Sequence, residues 1–182
     1  YFFIFLWLII SVINAKLYIR CTVLTKGIYP ADLGDKQAYG SNNEYGITLV
    51  SLDDNFKKKF EPFSAPFDKR IEALKQLHKQ GLKTWVSIEP YPTPNIVTQR
   101  LKEILTSVSF VDKIVFGKLN YNVDASHYAD NKAFYEACAQ LVKKFCAEKG
   151  IQYHIKYGTE ERSDTKTVKI FKDKALPLII RT

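Results

Sequence analysis

Asp68-Lys69-Arg70-Ile71-Glu72-Ala73-Leu74-Lys75-Gln76-Leu77-His78, followed after Gly81 by Leu82-Lys83-Thr84-Trp85-Val86-Ser87-Ile88-Glu89-Pro90, is the stretch whose reading decides the fold. Ile71, Leu74 and Leu77 recur at helical spacing, so one face of the first segment is buried and the other carries charge. Asp68 stabilises the helix start, by capping it or through the helix dipole, and Gly81 provides the left-handed residue that ends it. The run after Gly81 is rich in residues that suit a pleated surface and halts at proline, so it reads as a strand. Helix, glycine and strand together form one half of a β/α unit.

The same pattern extends in both directions. A first strand is expected at Ile19-Arg20-Cys21-Thr22-Val23-Leu24 and a second at Tyr45-Gly46-Ile47-Thr48-Leu49-Val50, separated by a polar stretch from Gly34 to Glu44. After the third strand, closed by Pro90, Pro92 and Pro94, a helix is expected from about Asn95 to Val108, with Lys113-Ile114-Val115-Phe116 as a fourth strand. A polar loop from Asn120 to Asp130 leads to a helix from Asn131 to Lys149, ended by Gly150, and a fifth strand, Ile151-Gln152-Tyr153-His154-Ile155. Thr159 to Lys166 reads as a charged loop, and the remainder to Thr182 shows little periodicity. Strands that alternate with helices pair in parallel, so the expected fold is α/β, an incomplete parallel (β/α) barrel.

Length and composition bound what this fold does. With 182 residues, 46% of them hydrophobic, the chain can bury one substantial core, taken as a single domain over residues 16–182 after a hydrophobic leader at residues 1–15. Tyr1 to Val12 is apolar except for Ser11, but a spanning helix needs about 18 such residues and no basic residue precedes this run. No stable membrane span is expected. The leader reads as a truncated signal or anchor, a buried element, or sequence foreign to the domain; the expected location is cytoplasmic, with membrane association left open by that leader. The chain contains no Met and starts at Tyr1, which reads as the interior of a longer frame.

Cys21, Cys138 and Cys146 are odd in number and scattered, against both a disulfide framework and a metal knuckle, and fit a reducing compartment. Cys138 and Cys146, two turns apart on one helix, read as core thiols. His78, His127 and His154 are dispersed over a helix, a loop and a strand, so no metal site is expected within this chain. Nucleophile elbow, P-loop and dinucleotide glycine fingerprint are all missing. The net charge of +8 admits an acidic partner, but Lys57-Lys58-Lys59 is the one tight basic run and most other lysines lie on polar helix faces, as a solvated surface would have them.

In parallel sheets the functional residues gather at the carboxyl ends of the strands, where the loops surround a common crevice. Those ends supply Thr25 and Lys26, then Ser51 and Asp53, then Ser87 and Glu89, then Lys118 and Asn120, and lastly Lys156. Such a set suits a polar ligand bearing both signs of charge, although polar residues end strands in any case. Glu89 is the most informative, since a carboxylate between an apolar strand and a proline turn is half-buried and requires a cation: Lys26, Lys118, Lys156 or a ligand amine.

Four motifs in order, Val23-Leu24-Thr25-Lys26-Gly27, Gly46-Ile47-Thr48-Leu49 with Phe60-Glu61-Pro62-Phe63-Ser64-Ala65-Pro66, Arg70-Ile71-Glu72-Ala73-Leu74, and Gly81 through Pro90, resemble radical S-adenosylmethionine (radical SAM) proteins of the spore photoproduct lyase-like group. The resemblance runs from about Ala15 to Lys156 and implies the TIM-like radical SAM barrel from its third strand onward. It implies S-adenosylmethionine as a cofactor, with Thr48, Ser51, Ser87 and Glu89 as contacts and Lys26 at the barrel mouth. It also implies a [4Fe–4S] cluster that delivers the electron for reductive cleavage. The CxxxCxxC motif that would hold this cluster has no counterpart here, so a fragment inactive by itself, binding no cluster, is expected. Substrates are not implied, beyond nucleic acid by analogy with the lyase. The competing reading is a cluster-free α/β binding domain whose basic surface takes nucleic acid or another anionic ligand.

Overall fold

The computed structural model of the chain describes residues 20–160 and the backbone of 179–181; the leader at 1–15 lies outside the described residues. Val23, Tyr45, Ile47, Val86, Ile88, Ile114 and Phe116 take alternate positions along successive strands and are fully buried in one cluster. Since side chains alternate across a strand, these residues define one face of a single sheet. Its strands are β1 (Thr22–Thr25), β2 (Glu44–Thr48), β3 (Lys83–Tyr91), β4 (Lys113–Lys118) and β5 (Gln152–Ile155), with β6 (Ile179–Arg181) outside β1, in the order β5-β4-β3-β2-β1-β6. Every pairing is parallel. This is the α/β arrangement of an open, incomplete barrel.

Helices cover the apolar face. After β1 come a 3-10 turn (Ala31–Gly34) and α1 (Lys36–Tyr39); after β2, α2 (Asp54–Phe60) and α3 (Phe67–Lys79); after β3, α4 (Leu101–Ser107); after β4, α5 (Val123–Ser126) and α6 (Asn131–Lys149). In α3, Leu74 and Leu77 are buried, each contributing about 2 kcal/mol, against the few tenths expected of an exposed Glu72–Gln76 pair on the same helix. Docking therefore holds the helix. Asp68 sits in its first turn rather than at the cap, and Gly81, at φ 74, ends it through N–H donation to the His78 carbonyl at 2.9 Å. Gly150 closes α6 in the same way, at φ 67.

Several details depart from the sequence reading. The helix expected from Asn95 begins only at Leu101, because Asn95 and Gln99 spend their side chains tying loops together, donating to the Asp124 and Val50 carbonyls at 2.8 Å each. Strand β3 continues through Pro90 to Tyr91, with its register against β4 shifting between Ile88 and Tyr91, where proline offers no N–H. Ile155 is half-buried, since β5 lies at the sheet edge. The edge beside β1 carries a further short strand, β6, which the sequence reading did not include, with Val23 opposite Ile180.

The other face of the sheet has a different make-up. Leu24, Gly46, Trp85 and Lys113 stand in register across four strands, and Thr48, Ser87, Val115 and His154 form the next row toward the carboxyl ends. The Trp85 ring lies against Gly46, where an added Cβ would fall 2.3 Å from ring carbon Cε2. From the helix side the Tyr29 hydroxyl donates to the Gly46 carbonyl at 2.6 Å and accepts from its N–H at 3.0 Å. Gly46 is thus enclosed on both faces.

Gly46→Ala is expected to cost about 1–3 kcal/mol through overpacking, measured as a lowered urea midpoint. In a Trp85→Leu background the same change should cost less than about 0.5 kcal/mol, because the ring that the methyl group strikes is gone.

Candidate functional site

At the carboxyl ends of the strands the polar face opens into a cavity of about 480 Å³ lined by Leu24, Lys26, Thr48, Ser87, Glu89, Pro90, Lys118, Leu119, Asn120 and Lys156. Each main strand reaches it: Lys26 follows β1, Thr48 ends β2, Ser87 and Glu89 belong to β3, Lys118 ends β4 and Lys156 follows β5. A volume of this size falls within the range of pockets that take small molecules.

Glu89 lies along β4, close enough to Gly117 that a Cβ there would sit 2.9 Å from its Cγ and Cδ. Its carboxylate is 3.4 Å from Lys156 Nζ, and both side chains remain partly exposed. The cation that sequence reasoning required beside Glu89 is therefore Lys156. At 28% and 40% side-chain exposure this contact is worth little as a stabilising pair, and it leaves both groups able to meet a ligand.

Lys26 is more firmly held. Its ammonium is 2.8 Å from Glu61 Oε1, and Glu61 is buried. The second oxygen of Glu61 lies 3.5 Å from Arg70 Nη2, while Arg70 Nη1 donates to the Thr48 carbonyl at 2.6 Å. Arg70 is 1% exposed and its Nε has no hydrogen-bond partner among the described residues. Burial pulls its pKa down from the usual value, and the Glu61 carboxylate offsets part of that. Through Glu61 this guanidinium orients Lys26; through Thr48 it holds the end of β2.

Of the residues expected at the mouth, Lys26, Thr48, Ser87, Glu89, Lys118, Asn120 and Lys156 line one cavity. Ser51 and Thr25 are buried outside the lining: Ser51 Oγ accepts from the Asp53 N–H at 3.0 Å, and Thr25 Oγ1 accepts from the Gly27 N–H at 2.9 Å, so both shape turns. Asp53 caps α2 by accepting from the Phe56 N–H at 2.6 Å. Lys57, Lys58 and Lys59 occupy the last turn of α2, where cations complement the helix dipole.

Sequence reasoning did not assign a site role to Glu61, Arg70 or Gly117. Glycine inside a strand run was the available signal for Gly117, since it marks a close approach. Arg70 carried the misleading signal, because an arginine in a charged helix segment reads as a solvent-facing residue.

The three cysteines are buried and none is in a disulfide. Burial pushes Cys138 up to about 12 and Cys146 up to about 11. Cys21 precedes β1 at its amino end, and the other two pack in the core from α6. None lines the mouth, and among the described residues no group of three or more His, Cys, Asp or Glu is placed to hold a metal ion. These thiols do not fit as ligands of an iron–sulfur cluster at the mouth. Among the described residues no helix is long and apolar enough to cross a membrane.

No protein-family model matches the chain. Over 50 residues it is 44% identical to an uncharacterised protein of Methanocaldococcus jannaschii, a stretch amounting to 28% of this chain and 19% of that protein. Its fold is similar to that of spore photoproduct lyase in complex with a dinucleoside spore photoproduct, with a TM-score of 0.57 at 16% identity over 84% of this chain and 55% of the lyase. It is also similar to that of Streptococcus suis SuiB bound to S-adenosylmethionine, with a TM-score of 0.53 at 16% identity over 80% of this chain and 33% of SuiB. Both are radical SAM enzymes, and the chain has the fold of their barrels. It spans about half the length of the lyase and a third of SuiB.

Arg70→Met should lower stability by about 3 kcal/mol, because it strips the buried Glu61 of one counter-charge and the Thr48 carbonyl of its donor; a shifted urea midpoint reads this out. Replacing the pair together, Arg70→Met with Glu61→Leu, should recover part of the loss. For the thiols the expectation concerns pH. A folded-state pKa raised above the ordinary value near 9 gives stability that is complete below about pH 9 and lost as pH climbs toward 11 and 12. At pH 8 Cys138 and Cys146 should resist a thiol-reactive dye until denaturant is added.

Proposed function

We propose that this chain supplies the rear strands of a radical SAM barrel and that its mouth holds S-adenosylmethionine for radical chemistry on a separate substrate. The observation that carries this reading is the convergence of Thr48, Ser87 and Glu89 from β2 and β3 on one cavity, in a fold similar to that of SuiB bound to S-adenosylmethionine. The donor set suits such a cofactor. Glu89 is a carboxylate for the α-amino group, Thr48 and Ser87 are hydroxyls for the ribose, and Lys26 is an ammonium at the rim for a carboxylate. Ser51 acts behind them, by shaping the loop after β2.

A [4Fe–4S] cluster, when bound, supplies the electron for reductive cleavage. Its ligands in this proposal come from barrel strands outside the present sequence, so by itself the chain binds and orients and does not react. That division agrees with the chain's spanning 55% of the lyase.

Titration calorimetry with S-adenosylhomocysteine, which keeps the amino acid and nucleoside groups, tests the cofactor reading. Glu89→Gln should weaken binding about tenfold, the loss of one charge-assisted hydrogen bond, and Ser87→Ala by less. Absence of binding, or binding indifferent to Glu89, overturns the assignment. Separately, a CxxxCxxC segment encoded about 60–100 residues upstream of Tyr1 is expected, the room that two further β/α units of about 30 residues occupy; sequencing the surrounding gene checks it.

A further inference from the structure

The three mouth lysines differ in how far their charge is already spent. Lys26 is paired at 2.8 Å with buried Glu61, and Lys156 makes a looser contact of 3.4 Å with Glu89. Lys118 has no carboxylate partner among the described residues, although it lines the same cavity beside Asn120. Its ammonium extends toward the loop after β5: a Cβ on Gly158 would lie 3.9 Å from Nζ and would meet nothing else within 4 Å among the described residues. A cation with no carboxylate partner among the described residues thus lies toward the strand end that also bears Lys156.

This quadrant is built rather than incidental. Thr159, 4% exposed, accepts at Oγ1 from the Lys118 N–H at 3.3 Å and donates its own N–H to the Lys156 carbonyl at 3.1 Å. Lys156 N–H donates to the Phe116 carbonyl at 2.8 Å, and Gly158 at φ 75 makes the intervening turn. One buried threonine therefore fastens the ends of β4 and β5 and fixes the spacing of the two lysine backbones. The Leu119 N–H, next along, donates to the Tyr135 hydroxyl at 3.0 Å, anchoring the loop to α6.

We propose that Lys118, Asn120 and Lys156 form an oxyanion subsite that holds a phosphate or carboxylate group of the substrate, across the mouth from the Thr48 and Ser87 hydroxyls. Two ammonium groups and one amide N–H₂ supply donors to several oxygens; the partial burial of Lys118 and Lys156 strengthens their contacts relative to bulk water, and Asn120 adds a donor at the exposed rim. The subsite rests on this cavity being the working end of the sheet, and does not depend on which cofactor occupies the other side.

The test follows the backbone amides of Lys118, Asn120, Lys156 and Thr159 by NMR during separate titrations with sodium phosphate and sodium acetate. Saturable shifts at these four amides are expected. Lys118→Met should weaken the anion about tenfold, the equivalent of one charge-assisted hydrogen bond, whereas Lys118→Arg should restore it to within about threefold. Tighter phosphate than acetate identifies a phosphate-bearing substrate, and the reverse a carboxylate. Lys59→Met, on exposed α2, is the control for general charge: a loss as large as that from Lys118→Met overturns the subsite. Competition between S-adenosylhomocysteine and the anion also overturns it, by assigning Lys118 to the cofactor's own carboxylate. Failure of S-adenosylhomocysteine to bind at all, with the anion still saturating, refutes the cofactor reading and leaves the subsite standing.

Discussion

A guanidinium with 1% of its surface exposed has to find its hydrogen bonds inside the protein, and Arg70 finds them at the end of β2 and on Glu61. Few other contacts join as many parts of the chain. Arg70 belongs to α3, Thr48 closes β2, Glu61 terminates α2, and Lys26 follows β1, so a single buried charge ties two strands and two helices to the rim of the cavity. Desolvating a charge costs several kcal/mol unless it is paired and hydrogen-bonded, and an arrangement that meets this requirement admits few alternatives. The position of the mouth is in this sense a consequence of where Arg70 can be satisfied.

The fold was legible because the strongest signals are local ones. Apolar runs at 82–88 and 113–116, amphipathic helices ended by Gly81 and Gly150, and their strict alternation are properties of neighbouring residues, and parallel pairing follows from them. Boundaries were less legible where side chains form tertiary ties: Asn95 and Gln99 satisfy distant carbonyls, and the helix starts after them. Strand β6 was not foreseen, because its three residues gain their pairing from β1 and carry no period of their own.

Of the cavity wall, the strand-end rule recovered Lys26, Ser87, Glu89, Lys118, Asn120 and Lys156, since topology alone forces these ends together, while Thr48 came from the family resemblance. What it could not supply was the partnering. That Glu89 faces Lys156 while Lys26 faces Glu61 depends on contacts between residues far apart in the chain. Ser51 and Thr25 show the converse limit: they stand at strand ends, yet their hydroxyls serve backbone N–H groups two residues on, a competition that serine and threonine often win locally.

The contrast between the sheet face below the cavity and the cavity's rim bears on how this molecule can drift over generations. On that face Trp85 wedges against Gly46, one row below the Thr48 and Ser87 that line the cavity, and a replacement that adds bulk there disturbs the sheet. Around the strand ends, Phe63, Tyr121 and Tyr157 stand largely in solvent, and exchanging an exposed side chain usually alters stability by less than about 0.5 kcal/mol. Selection is therefore free to rewrite the rim while the packed sheet beneath it is inherited intact, so descendants of this chain should keep a common scaffold and diverge in what they admit.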